Sequence, residues 1–177
     1  MNALTLLIGG ARSGKSDLAV EIGRRFTGDV TFIATAQPFD DDMRIRIGRH
    51  QADRPSWPTI EAPTELAAAL IAAPDDNLVI IDCLTVWLAN LVVDNRSESD
   101  VLAAAIGTAQ LAAQRSAPTV TVTNEVGLGI HPETDLGREY RDLLGRINRI
   151  WADAAQQSLF LVAGRAIALH DPWEFLS

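Results

Sequence analysis

Apolar residues along the chain fall into short unbroken runs separated by longer stretches of helical period. The runs LTLLI (4–8), DVTFIAT (29–35), LVIID (78–82), TVTVT (119–123) and SLFLVA (158–163) have strand length. The third and fifth are almost continuously apolar, as a parallel strand covered on both faces requires. WPTIEA (57–62) reads as a further short strand. Helical patterns fill the intervals at 14–26, 40–53, 64–73, 84–93, 98–115 and 138–156. Strand–helix alternation of this kind implies βαβ crossovers and a mostly parallel sheet with helices on both faces. The alanine-rich segment VLAAAIGTAQLAAQ is a strong helix former and carries no evident chemistry. One connection, NEVGLGIHPETDLG (124–137), is long and punctuated by glycine, and loops of that length are often functional.

Composition narrows the class without naming a reaction. The 177 residues suit one domain, 1–177, with 47% hydrophobic and 21% charged residues, ordinary for a globular protein. The net charge of −8 argues against a broad nucleic-acid footprint, though a local basic patch is still allowed. Cys83 is the sole cysteine, so neither an intrachain disulfide nor a cysteine metal cage can form. The N-terminal MNALTLLIGG lacks a basic leader and runs straight into a glycine loop, so it reads as a first strand and not a signal peptide. No run approaches the roughly 18 apolar residues of a membrane span. A cytoplasmic protein is expected.

The glycine loop is the first site of chemistry. GGARSGKS, Gly9, Gly10, Ala11, Arg12, Ser13, Gly14, Lys15 and Ser16, satisfies G-x-x-x-x-G-K-[ST] between a strand and a helix. Glycines let successive backbone N–H groups and the helix N-terminus face phosphate oxygens. Lys15 is then placed to reach the β- and γ-phosphates, and the Ser16 hydroxyl to ligate Mg²⁺. Such loops use a carboxylate at the end of a neighbouring strand for the same metal, and Asp82, closing LVIID, fits. The alternative is a helix N-cap aspartate, and both roles could hold together. These features imply a P-loop NTPase-like (RecA-like) three-layer α/β/α sandwich.

MRIRIGRHQADRP (43–55) places His50 between Arg46 and Arg54 at four-residue intervals, so the three are expected on one helical face. The bland reading is a solvated basic face. The preceding strand, however, ends at the ligand-binding edge of the sheet, which roots the helix near the nucleotide. Two guanidiniums keep a nearby imidazole neutral to lower pH, and a neutral imidazole is a competent nucleophile toward phosphorus.

Four blocks taken together, GGARSGKS, RIGRHQADRP with WPTIEAP, LVIIDCLTVWLANL and VTNEVGLGIHPETDLGREYRDLLGRINRIWADAA, resemble the bifunctional adenosylcobinamide kinase / adenosylcobinamide-phosphate guanylyltransferase of cobalamin biosynthesis. The likeness runs from about residue 4 to residue 169. It implies phosphorylation of adenosylcobinamide with ATP or GTP, then transfer of GMP from GTP through a GMP-histidine intermediate. By position, His50 takes the GMP, and Gly9 to Ser16 hold phosphates, with Lys15 acting in phosphoryl transfer. Ala34, Thr35 and Ala36 match a nucleotide-contacting strand end, and Gln51, Ala52, Asp53 and Arg54 match further GTP contacts. Glu61 and Asp82 match acidic nucleotide-binding positions. Mg²⁺ is the implied cofactor and a homotrimer the implied assembly, with neither nucleic acid nor a membrane span as partner.

Two positions depart from the pattern. His131 stands where many relatives carry valine and reads as a loop variation. Asp82 stands where some carry glutamate, which leaves its role open between metal and nucleotide contact. His170 has no motif around it. Asn124 and Glu125 either line the corrinoid or guanine site or hold their loop, and Arg138, Arg141 and Asp142 read as a solvated helix start. Trp57, Trp87, Trp151 and Trp173 read as packing residues, with Trp87 sharing a helical face with Cys83. The rivals are a plain small-metabolite kinase, in which His50 is only a surface residue, and a nucleotide-driven assembly module. No general base for the kinase step can be named from the sequence.

Overall fold

The computed structural model describes residues 4–38 and 41–176, with the side chains of residues 42, 43, 46, 47, 49 and 50 outside the described set. In chain order the elements are β1 (Leu4–Gly9), α1 (Lys15–Arg25), β2 (Val30–Ala34), α2 (Asp41–Ala52), β3 (Thr59–Glu61) and α3 (Leu66–Ala72). There follow β4 (Leu78–Asp82), α4 (Leu84–Val93), α5 (Glu98–Gln114), β5 (Thr119–Asn124), α6 (Asp135–Ala154), β6 (Gln157–Val162) and β7 (Arg165–Leu169). One seven-stranded sheet has the order β3-β2-β4-β5-β1-β6-β7. Among the described strands, β7 alone runs antiparallel, against β6.

The apolar strand runs face two cores. On one side Leu7, Phe32, Ile80 and Val122 pack with Ala19 of α1. On the other, Leu6, Ile33 and Ile81 meet Leu66, Leu88, Ala105, Leu144 and Trp151 of α3 to α6. Each fully buried Leu, Ile or Val contributes roughly 1.5–3 kcal/mol, so the inner strands are held firmly and their carboxyl ends form a rigid edge. No helix among the described residues is long and apolar enough to cross a membrane.

Three elements differ from the sequence reading. Helix α6 starts at Asp135 and not at 138, because the Thr134 hydroxyl accepts the Gly137 N–H at 3.1 Å and caps it. Helix α2 stops at Ala52, which leaves Arg54 beyond its end. Pro55 is the reason: the residue before a proline is pushed out of the helical region. Strand β7 was not expected at all. It follows a two-residue turn in which Ala163 and Gly164 take φ of 51° and 70°, the left-handed pair that suits a hairpin. Trp87 and Trp151 are buried as expected and Trp57 packs over Gly23 of α1, but Trp173 is 72% exposed, contrary to the packing role expected of it.

Candidate functional site

Strand β1 leads into α1 on one face of the sheet, whereas its neighbour β5 leads, through the 125–134 loop, into α6 on the other. The crevice outside the carboxyl ends of strands that diverge in this way is where open α/β sheets bind ligands. The phosphate loop forms one lip. A Cβ on Gly9 would meet the Leu161 carbonyl oxygen at 2.3 Å, so only glycine lets the loop leave the sheet here. Gly14 has φ 96°, and the Ser13 carbonyl accepts the Gly164 N–H at 3.0 Å, so the β6–β7 turn braces the loop from behind. Lys15 is buried, and its Nζ donates to the Gly10 carbonyl at 2.6 Å and to Ser13 Oγ at 3.3 Å. Burial holds its pKa below the usual lysine value, opposed by the charges of Cys83 and Asp82. Arg12, with φ 55°, and Ala11 are exposed.

Asp82 ends β4, which is not the neighbour of β1 but the next strand beyond β5. It nonetheless lines one small cleft with Ser16, together with Asp17, Arg24, Phe32 and Asp53. The N-cap of α4 is Cys83, without a side-chain cap, so Asp82 does not have the capping role. Its backbone is clamped instead. Thr35 N–H donates to the Asp82 carbonyl at 3.2 Å, while the Thr35 hydroxyl accepts the Cys83 N–H and donates to the Cys83 carbonyl, both at 2.8 Å. Buried Asn90 donates to the Thr35 carbonyl at 2.8 Å and the Pro63 carbonyl at 2.9 Å. Thr35 is fully buried, and its hydroxyl is committed to hydrogen bonds at this corner. Ala34 and Ala36, on either side, are half-buried. Burial first, then the charge of Asp82, pushes the Cys83 thiol up to about 12.

The other carried-over positions are divided between two places. Asp53 lines the cleft, and its carbonyl accepts from Arg24 Nη2 at 2.8 Å, which ties the end of α2 to α1. Gln51 and Ala52 are exposed on the last turn of α2. His50 and Arg46 lie in α2 by backbone, but their side chains are outside the described set. The shared face expected of Arg46, His50 and Arg54 does not extend to Arg54. Its guanidinium sits 3.6 Å from the Phe32 ring centroid, and Nη2 donates to Thr59 Oγ1 at 3.0 Å. Glu61 is exposed on β3, four strand positions from β1 and so roughly 19 Å from the phosphate loop at the usual strand spacing.

Residues 5–169 match the family model described as cobinamide kinase / cobinamide phosphate guanyltransferase. The chain belongs to that family. It is 38% identical to the bifunctional adenosylcobalamin biosynthesis protein CobP of Pseudomonas aeruginosa, over 93% of this chain and 95% of that one. With the bifunctional adenosylcobalamin biosynthesis protein CobU of Escherichia coli it shares 37% identity, over 94% and 99%. Solved structures share the fold alone. A type III secretion system ATPase matches with a TM-score of 0.59 at 10% identity over 92% of this chain, which spans about half, 51%, of that one. The flagellar accessory protein FlaH of Methanocaldococcus jannaschii matches with a TM-score of 0.51 at 15% identity, over 95% and 78%. These are P-loop NTPase-like neighbours and agree with the sandwich expected from the motif.

A hydroxyl and a carboxylate facing one cleft suit a hard divalent cation. Mg²⁺ usually takes one or two such ligands and completes its shell with phosphate oxygens and water. Among the described residues no cluster of three His, Cys, Asp or Glu forms a dedicated metal cage. Sequence reasoning missed the residues whose hydrogen bonds brace the edge: Asn90 to the Thr35 carbonyl, Thr85 and Asn148 to the Asn124 backbone, and Tyr140 to the Thr85 carbonyl. Two are buried polar side chains on otherwise apolar helix faces, which is the signal that could have found them.

Proposed function

We propose that this chain phosphorylates the aminopropanol hydroxyl of adenosylcobinamide with ATP or GTP. It then transfers GMP from GTP to the resulting phosphate, giving adenosylcobinamide-GDP. One observation carries the reading: in a chain whose residues 5–169 match the family, Ser16 of the phosphate loop faces the same cleft as Asp82, with Lys15 beside it. In the kinase step Lys15 offsets charge developing on the γ-phosphoryl group, and the loop N–H groups hold the phosphates in line. Ser16 and Asp82 would hold Mg²⁺, which supplies further neutralisation of phosphate charge when bound. In the second step an imidazole nitrogen of His50 attacks the α-phosphorus and pyrophosphate leaves. The corrinoid phosphate then attacks the phosphoramidate and frees the histidine.

The enzyme works as a homo-oligomer, a trimer by its family likeness. An exposed apolar strip on the outer hairpin and C-terminal turn, Val162, Ile167, Leu169, Trp173, Phe175 and Leu176, supports self-association. The kinase half is tested with γ-labelled ATP or GTP and cobinamide. Wild type transfers label to the corrinoid, and Lys15→Ala lowers kcat by about 10²–10³-fold, the usual loss for a transition-state charge donor. A wild-type enzyme that labels no corrinoid would sink the reading.

A further inference from the structure

We propose that Glu125 is the general base of the kinase step, the carboxylate that receives the proton of the acceptor hydroxyl. This rests on the kinase reading above. Glu125 opens the lip of the crevice opposite the phosphate loop. Asn124 pairs with Gly9 in register, and the Glu125 N–H donates to the Gly9 carbonyl at 3.0 Å. The residue therefore stands one strand spacing, about 4.8 Å, from the backbone that opens the loop.

Three other carboxylates at this edge are placed for the metal and the phosphates. Asp82, Asp17 and Asp53 line the cleft on the Ser16 side, where metal and nucleotide phosphates belong. Glu61 is on the far strand. Glu125, by contrast, begins the 125–134 loop, which carries large apolar side chains into solvent, Leu128 at 78% and Ile130 at 96% exposure. A bulky, partly apolar acceptor has surface to rest on there, with its hydroxyl turned toward the loop of Lys15.

A base must also be held in place before the substrate arrives. Thr123 Oγ1 donates to Asn148 Oδ1 at 2.7 Å, and Asn148 Nδ2 donates to the Asn124 carbonyl at 3.0 Å. The Asn124 N–H donates to Thr85 Oγ1 at 2.9 Å, and Tyr140 donates to the Thr85 carbonyl at 2.8 Å. The Glu125 carboxylate itself accepts the Gly127 N–H at 2.5 Å, which leaves its second oxygen for a substrate proton. In the step, the acceptor oxygen bonds to the γ-phosphorus while the bond from phosphorus to the β–γ bridging oxygen breaks. Nucleoside diphosphate departs with that electron pair, and the hydroxyl proton passes to Glu125 and then to water.

The test uses the full chain with Mg²⁺, GTP and cobinamide. Glu125→Gln keeps an oxygen for the Gly127 N–H but cannot take a proton. Its kcat for corrinoid phosphorylation is expected to fall about 10²-fold or more, with the Kd for a fluorescent GTP analogue unchanged. Glu125→Ala is expected to regain about tenfold of its lost rate in added formate, which leaves wild type unaffected. A Glu125→Gln kcat within about threefold of wild type overturns the inference, since base catalysis supplies more than that. So does an alanine variant that binds GTP normally and gains nothing from formate. Wild type inactive toward corrinoid overturns the kinase reading and this inference together, whereas active wild type beside active Glu125→Gln overturns this inference alone.

Discussion

Thr35 shows how much one hydroxyl can decide. It closes a two-way hydrogen bond with the Cys83 backbone and so sets where Asp82 enters the cleft. Thr35→Val keeps the volume but leaves the Cys83 N–H without that partner, at a cost of about 1–3 kcal/mol. Denaturant unfolding should show that loss, together with a raised Mg²⁺ requirement for phosphoryl transfer; Thr35→Ser should recover both. Cys83 offers a pH test. Its folded pKa of about 12 lies above the ordinary 9.0, so the stability it contributes is whole below pH 9.0 and is lost as pH climbs toward 12. Burial raises the Tyr140 hydroxyl too, which adds to the same alkaline loss. Stability measured across that range should fall, and Cys83→Ser should flatten the fall without abolishing it. In native protein the thiol should react slowly with disulfide reagents at pH 8, and at once in denaturant. The sequence marks Asp82 and Thr35 but not the hydrogen bonds between them, because Thr35, Pro63, Cys83 and Asn90 meet only after three strands and a helix have packed.

Among the elements, legibility followed the strength of the local signal. The strand–glycine loop–helix of residues 4–25 carries its spacing in the chain and was found where expected. Helix α2 ended earlier than its charge pattern suggested, and Pro55 was the visible cause. Strand β7 was hidden because its turn uses Ala163 in a left-handed conformation that alanine seldom takes. That hairpin matters to the site, since Leu161 and Gly164 back the phosphate loop. Gly9→Ala forces a methyl group onto the Leu161 carbonyl, so it should lower both the melting temperature and GTP affinity, the latter by tenfold or more (about 1.4 kcal/mol). Thr134→Ala serves as the contrast. It removes only the cap of α6 and should cost about 1 kcal/mol in unfolding while GTP affinity holds.

For the whole molecule, family membership and fold agree, and the candidate phosphate loop leaves the sheet at the carboxyl end of β1, beside the point where β1 and β5 diverge. Self-association belongs to this scale. Light scattering should give a mass of three chains, and Ile167→Lys with Trp173→Glu should reduce it to one if the apolar strip is the contact. The fold is shared with a type III secretion system ATPase of quite different sequence, so the fold alone does not select guanylyl transfer over simple phosphorylation. His50 does. Purified protein incubated with Mg²⁺ and GTP labelled at the α-phosphorus should keep label after denaturation. The bound label should resist alkali, leave in mild acid and be absent from His50→Asn. Protein that binds GTP yet retains no label, or a His50→Asn variant labelled as well as wild type, would contradict the histidine mechanism.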